Sequence, residues 1–374
     1  MRIVIVKLSS IGDVVHALPA VAALRLALPD ARISWVVERR ASAMLKGSPV
    51  IDELIEIDTR AWRSSLLRGA TIKEVRAGLA HIRGFEADGD ADIAIDFQGL
   101  IKSGIVAKAT GALRRIGFET RELRERASRF FLTEQIETSG FKHVIDKNIA
   151  LASAVIDGAN FSPARYEFPI VVSAEDERYI EEAISNRGGS FAIINPGGGW
   201  PTKLWPATRY GQLADHLHTE HGLVSFITYG PGEESLVQTV AAASKTGAAR
   251  PFASTLKQFV ALARRAALFV GGDTGPLHLA AASGTPIVGI YGPTSPDRNG
   301  PFDKRDVTVK RDLWCRADCH RRSCWHWECM DIAVSAVASA VATRLERADE
   351  TANSDFQRRI VPPAGKALSG EMCQ

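Results

Sequence analysis

The stretch Phe269-Val270-Gly271-Gly272-Asp273-Thr274-Gly275-Pro276-Leu277-His278-Leu279-Ala280 decides the fold class. It reads as an apolar strand ending in two glycines, then a turn, then the start of a helix. Neither glycine carries a Cβ, so a backbone or a ligand can approach closely. Asp273 or Thr274 can cap the helix, and Pro276 suits its first turn, where a missing N–H costs nothing. The N–H groups at that end, backed by the helix dipole, favour an anion. His278 falls on the same face as Gly275, three residues earlier. A plainer reading is a capped helix with a buried, hydrogen-bonded histidine. Both readings require a strand–turn–helix unit, and so an α/β protein.

The surrounding half of the chain repeats the pattern. A strand over residues 191–195 enters Pro196-Gly197-Gly198-Gly199, followed by Lys203. A strand over residues 224–228 meets Tyr229-Gly230-Pro231-Gly232-Glu233-Glu234, and one over residues 287–291 ends at Gly292-Pro293-Thr294. Glycine-bearing turns at strand carboxyl ends are where open α/β sheets bind ligands. Four of them, with Lys203 among them, point to a nucleotide-type phosphate ligand.

The first half opens on a strand over residues 3–7, then Ser9-Ser10-Ile11-Gly12-Asp13 and a helical stretch over residues 14–28. Gly12 lets the loop turn tightly. Asp13 is either an acid favoured at a helix N-terminus or a general base at the mouth of the sheet. His16, one turn on, reads equally well as a surface histidine. Strands over 33–38 and 53–57, a helix over 72–83 and a strand over 93–96 follow, the last running into Phe97-Gln98-Gly99-Leu100-Ile101-Lys102-Ser103. That alternation predicts a parallel sheet with right-handed crossovers.

Eight basic residues lie between Lys102 and Arg129, opposed by Glu119, Glu122 and Glu125. Glu122–Arg126 and Glu125–Arg129 read as i,i+4 pairs on a solvated helix face. The remaining excess, with Arg60 and Arg63 upstream, suits a partner rich in phosphates or carboxylates.

The whole chain of 374 residues is long enough for two α/β domains. We place the first over 1–160, a Pro-containing linker over 161–175, the second over 176–349 with a closing helix, and a disordered polar tail over 350–374. Net charge is +3, which forces no nucleic-acid binding. No apolar run reaches the length of a membrane span, and the N-terminus reads as a first strand rather than a signal peptide, which argues for the cytoplasm. Cys315, Cys319, Cys324 and Cys329 crowd one segment, with His320 and His326 interleaved. Paired Cys-x2-Cys knuckles are missing, so the segment reads as reduced thiols in a loop, with a metal as the alternative.

Taken together, Ser9-Ser10-Ile11-Gly12-Asp13-Val14-Val15-His16, Asp96-Phe97-Gln98-Gly99-Leu100-Ile101-Lys102-Ser103, Lys203-Leu204-Trp205-Pro206, Asp273-Thr274-Gly275-Pro276-Leu277-His278 and Tyr291-Gly292-Pro293-Thr294 resemble glycosyltransferase family 9. The resemblance runs in order from residue 1 to about 345. It implies a GT-B architecture, two Rossmann-like doubly wound domains facing a central cleft, the first for acceptor and the second for donor. It further implies inverting transfer of heptose from ADP-L-glycero-β-D-manno-heptose to Kdo of Kdo2-lipid A, without metal or other cofactor, at the anionic inner face of the inner membrane.

By the same resemblance Asp13 is the base. Ser10, Gly12, Arg60, Arg63, Gln98, Lys102 and Arg121 face the acceptor, and Gly198, Gly199, Lys203, Glu233, Asp273, Thr274, Gly275 and His278 face the donor. Gly197-Gly198-Gly199 stand where hydroxyl residues are expected near the donor phosphate, which leaves backbone N–H contacts there. Two other readings are a family member with a different acceptor, and a nucleotide-sugar-binding protein without catalysis, against which Asp13 counts. A Rossmann dehydrogenase is excluded, because no Gly-x-Gly-x-x-Gly follows the first strand.

Overall fold

Apolar β-branched runs such as Ile3-Val4-Ile5-Val6 and Ile287-Val288 are buried on both faces, as strands of a helix-covered parallel sheet must be. The computed structural model describes residues 1–59, 78, 82, 91–156, 166–185, 189–315, 319 and 322–360, with side chains to residue 348. Among them, twelve strands form two six-stranded sheets. The first sheet contains β1 (Arg2–Val6), β2 (Arg32–Glu38), β3 (Glu53–Ile57), β4 (Ile93–Asp96), β5 (Arg114–Phe118) and β6 (Glu134–Ile136), in the order β3-β2-β1-β4-β5-β6. The second contains β7 (Phe191–Asn195), β8 (Val224–Tyr229), β9 (Ala249–Ala253), β10 (Leu268–Gly272), β11 (Ile287–Tyr291) and β12 (Val307–Lys310), in the order β12-β11-β10-β7-β8-β9. Every pairing is parallel. Both orders are the doubly wound order whose direction reverses beside the first strand, β1 in one sheet and β7 in the other, which opens a crevice at the carboxyl ends there.

Alternation along a strand sends its side chains to two layers. Ile3 and Ile5 enter one apolar cluster, and Val4 and Val6 enter another. Phe269 joins the cluster that contains Ile3 and Ile5, while Leu268 and Val270 join a third. One core thus runs through both halves. Residues 166–173 lie against it, with Phe168 stacked on Phe302 at 4.8 Å between ring centroids.

Four local features differ from the sequence reading. The helix expected over 14–28 is two helices, Ile11–Val15 and Leu18–Ala27. Pro19 explains the break, since its ring opposes the carbonyl of Val15 and it has no N–H to continue the ladder. The pairs Glu122–Arg126 and Glu125–Arg129 do not share a helix face, because the helix there is a short 3-10 helix, Arg126–Phe131, which begins after both glutamates; upstream the stretch is helix Ile101–Ala109 and strand β5. Helix Ala174–Ser185 begins inside the span assigned to the linker. The closing helix runs over Val334–Ile360, beyond the boundary placed at residue 349. Arg60, Arg63 and most of the helix expected over 72–83 lie outside the described residues, as does the tail from 361.

Candidate active site

The carboxyl ends of β1 and β10 face each other. Helix Ile11–Val15, which follows β1, packs on helix Gly275–Ala282, which follows β10. Gly12 is needed at the contact, because a Cβ there would overlap the His278 ring. Gly275 lies close to Ile11, where an added Cβ would be 3.1 Å from the isoleucine Cβ, tight but without the overlap seen at Gly12.

Asp13 stands half-buried on the first of these helices. Ser10 donates to its Oδ2 from the backbone N–H at 3.0 Å and from Oγ at 3.1 Å, and Arg124 Nη2 donates to Oδ1 at 3.0 Å. Burial pushes the Asp13 carboxyl up, but the Lys7 and Arg124 charges and the Ser10 N–H outweigh it and hold the group below the usual carboxylate range. Lys7 is buried, with Nζ donating to Phe97 O at 2.6 Å, and burial lowers its pKa to about 8.

The motif Asp96-x-Gln98-Gly99-Leu100-x-Lys102-Ser103 has a structural account. Asp96 accepts from the Gln98 and Gly99 N–H groups at 2.8 and 3.2 Å and from Ser103 Oγ at 2.9 Å. Gly99 takes a φ of +68°, a conformation suited to glycine. Gln98 Oε1 accepts from the N–H groups of Leu8 and Ser9 at 3.1 and 3.2 Å, so this side chain holds the loop that carries Asp13. Lys102 Nζ donates to the buried Glu38 at 2.7 Å, beside Thr59. Arg121 is exposed beside Glu119, 3.7 Å away. Gln98 and Lys102 are therefore already engaged within the first domain, while Ser10, Gly12 and Asp13 line the loop itself.

Across the contact, Asp273 is a buried hub. Lys203 Nζ donates to its Oδ2 at 2.6 Å and to its backbone O at 3.1 Å, and Thr294 Oγ1 donates to Oδ2 at 2.7 Å. Asn299 Nδ2 donates to Oδ1 at 2.7 Å, and His278 Nε2 lies 3.1 Å from the same oxygen. Burial opposes the charge, yet the His278 hydrogen bond and the Lys203 ammonium keep the carboxyl far below the ordinary range. Thr274 is the N-cap residue of helix Gly275–Ala282 without a side-chain cap bond; its Oγ1 donates to Gly272 O at 3.3 Å. The first N–H groups of that helix thus keep the anion-favouring character expected of them.

Glu233 turns back toward β7: its Oε2 accepts from Gly230 N–H at 2.8 Å, and a Cβ on Gly197 would overlap its carboxylate. Glu234 instead accepts from Gly232 N–H at 3.2 Å at the start of its helix. Gly197 thus leaves room for the Glu233 carboxylate in this position, Gly198 sits beside Leu204 and Thr274, and Gly199 faces open space.

Residues the sequence reading did not place in the site include Lys7, Arg124, Thr294 and Asn299. In the sequence Arg124 is one of eight basic residues between Lys102 and Arg129; its pairing with Asp13 is non-local and leaves no sequence signal. His16 is buried rather than superficial, its ring 4.4 Å from that of His278 and 5.7 Å from that of His143. Burial, then the two neighbouring imidazoles, push its pKa well below the ordinary 6.5.

Cys315, Cys319, Cys324 and Cys329 are half-buried free thiols. Burial and the other three push the Cys329 thiol up. Among the described residues no three His, Cys, Asp or Glu side chains are arranged to hold a metal ion. Arg322 from this segment and Lys203 both lie over the Trp200 ring, at 5.2 and 4.7 Å from its centroid.

The chain is 28% identical over 330 residues to lipopolysaccharide heptosyltransferase 1 of Pseudomonas aeruginosa, covering 87% of each. Among solved structures it resembles a family 9 glycosyl transferase from Veillonella parvula (TM-score 0.75, 24% identity, 92% of this chain and 97% of that one). It also resembles the E. coli heptosyltransferase WaaC with ADP (TM-score 0.72, 23% identity, 92% and 100%). Those likenesses establish the GT-B fold of two Rossmann-like domains. The family model for glycosyltransferase family 9 (heptosyltransferase) matches residues 79–326, and the chain belongs to that family.

Proposed function

We propose that this enzyme transfers heptose from ADP-L-glycero-β-D-manno-heptose to Kdo of Kdo2-lipid A, with inversion, in lipopolysaccharide inner-core synthesis. The reaction takes place on the cytoplasmic face of the inner membrane. The observation that carries this reading is the placement of the Asp13–Arg124 pair across a tight interdomain contact from the Lys203–Asp273–His278 cluster.

A one-step inverting displacement needs a single base on the acceptor side. Asp13 is ionised at neutral pH and lies at the carboxyl end of β1, where an acceptor hydroxyl can reach it. The departing ADP gains charge, which Lys203 and the helix N-terminus at Thr274–Gly275 are placed to stabilise. Asp273 fixes the Lys203 ammonium so that little reorganisation is needed as that charge develops. Glu233, turned toward the cleft wall formed by Gly197, suits the donor ribose, with Gly198 and Gly199 offering N–H groups to the phosphates. Ser10, Gly12, Arg121 and Arg124 form the acceptor side, where guanidinium groups match the carboxylates of Kdo and the phosphates of lipid A; Arg60 and Arg63, assigned to the same role by the sequence resemblance, lie outside the described residues.

The name of the Pseudomonas relative favours the type I acceptor over the heptosylated acceptor of a type II enzyme. Measured ADP release with Kdo2-lipid A and, separately, with a core already bearing one heptose decides between them. Turnover on Kdo2-lipid A alone is the expected result, and turnover only on the heptosylated core overturns the type I assignment.

A further inference from the structure

Helix Ile101–Ala109 turns Ser103, Gly104, Val106 and Ala107 inward, and carries Ile101, Ile105 and Lys108 on its opposite face, four and then three residues apart. Such spacing makes one continuous stripe. Ile101 and Ile105 are 39% and 41% exposed. The 3-10 helix Arg126–Phe131 lies alongside: Phe131 packs where Gly104 lacks a Cβ, and Ile101 N–H donates to Glu125 Oε2 at 2.7 Å. Next to Phe131, Phe130 is 73% exposed, with the Arg129 guanidinium 4.7 Å from its ring centroid.

Salt bridges along a solvated helix do not account for these charges. Glu122 pairs with Lys147 and Glu125 is held by the Ile101 N–H, so neither serves Arg126 or Arg129 in the way the sequence spacing suggested. Among the described residues, Lys108, Arg126 and Arg129 have no carboxylate partner. Exposed aliphatic and aromatic side chains interleaved with unneutralised cations match the headgroup layer of an anionic bilayer. The rings and aliphatic chains enter the interface and the cations meet lipid phosphates.

We propose that the face built from Ile101, Ile105, Lys108, Arg126, Arg129 and Phe130 docks the enzyme on an anionic membrane surface. This rests on the reading of a lipid-borne acceptor. Arg124, two residues before this face, bonds Asp13, so docking here brings the base to the membrane from which the acceptor projects. No described helix is long and apolar enough to cross a membrane, so attachment through this face is interfacial.

The test is co-sedimentation of the full chain with vesicles of mixed phosphatidylglycerol and phosphatidylethanolamine, and with vesicles of phosphatidylcholine alone. Binding to the anionic vesicles, weakening with salt, is expected, with little to the neutral ones. The R126Q/R129Q double variant should bind about 25-fold more weakly. I105S/F130S should also weaken binding, but without a change in its salt dependence. Both variants should keep wild-type turnover on a water-soluble, deacylated Kdo acceptor, which also reports that they fold. Equal vesicle binding by parent and variants, or equal binding of the parent to neutral vesicles, overturns the proposal. A parent that binds vesicles through this face yet transfers no heptose to any Kdo acceptor overturns the functional reading instead.

Discussion

Arg124 Nη2 lies 3.0 Å from Asp13 Oδ1, so a guanidinium from the loop after β5 is clamped on the carboxylate that follows β1. The pair is partly exposed, and in the proposed reaction an incoming acceptor carboxylate or phosphate would compete for the same arginine. Arg124→Ala should raise the acceptor KM by about 10- to 100-fold, the range for a lost charged hydrogen bond, and leave the donor KM unchanged. Steady-state kinetics with each substrate varied in turn checks this; a change confined to donor KM contradicts it.

Lys7 acts on the same carboxylate from below. Its buried ammonium is the largest influence holding Asp13 down against burial. Lys7→Met therefore raises the Asp13 pKa, and the acid limb of the kcat/KM profile moves to higher pH. An unmoved acid limb would separate Lys7 from the base.

Lys203 bonds both the side chain and the backbone of Asp273, which places its charge where the donor diphosphate is expected. Lys203→Ala should weaken ADP-heptose binding and slow transfer together, since the phosphate charge is present in the ground state and grows in the transition state. Calorimetry that finds unchanged donor affinity refutes that placement. Activity is expected to survive EDTA, and a loss restored by magnesium would place a metal in the reaction.

The strand framework was legible because a doubly wound sheet buries its central strands on both faces, which leaves unbroken apolar runs at β1, β7, β10 and β11. The glycine turns at their ends were legible for the same topological reason. Long-range pairing was not. Gln98 looks like a ligand residue in sequence, yet its amide oxygen is occupied by the backbone of Leu8 and Ser9. The i,i+4 spacing of Glu122 and Arg126 suggested one helix, but a strand over 114–118 precedes them and Lys147, from a later helix, takes the glutamate. His16 shows the limit most directly. Its burial depends on His278 from the other domain, and nothing within one turn of it reveals that neighbour.

That histidine contact has a pH consequence. His16 packs against His143 and His278, with Asp13 and Asp273 the carboxylates that favour its proton. Asp146 and the Gly300 carbonyl face His143 in the same sense, while Arg298 opposes its proton. Burial lowers the pKa of both His16 and His143, so the unfolded chain binds more protons than the folded one below the ordinary value of 6.5. Their stabilising contribution is complete above that pH and is lost as pH falls toward the folded values. The depressed carboxylates Asp13 and Asp273 act in a lower window, beneath the usual carboxylate range. Thermal unfolding should therefore show Tm decreasing between about pH 7 and pH 5. His16→Asn should flatten that slope, and an equal slope in parent and variant would count against it.

The central claim is that Asp13 removes the acceptor proton while the second domain holds the donor. Mass spectrometry of Kdo2-lipid A after incubation with ADP-heptose tests it, with the parent and Asp13→Asn compared at equal, calorimetrically verified donor occupancy. The account predicts addition of one heptose by the parent and a rate lower by about 10²- to 10⁴-fold in the variant. Product formed by Asp13→Asn within about tenfold of the parent rate would contradict it, because general-base catalysis contributes more than that.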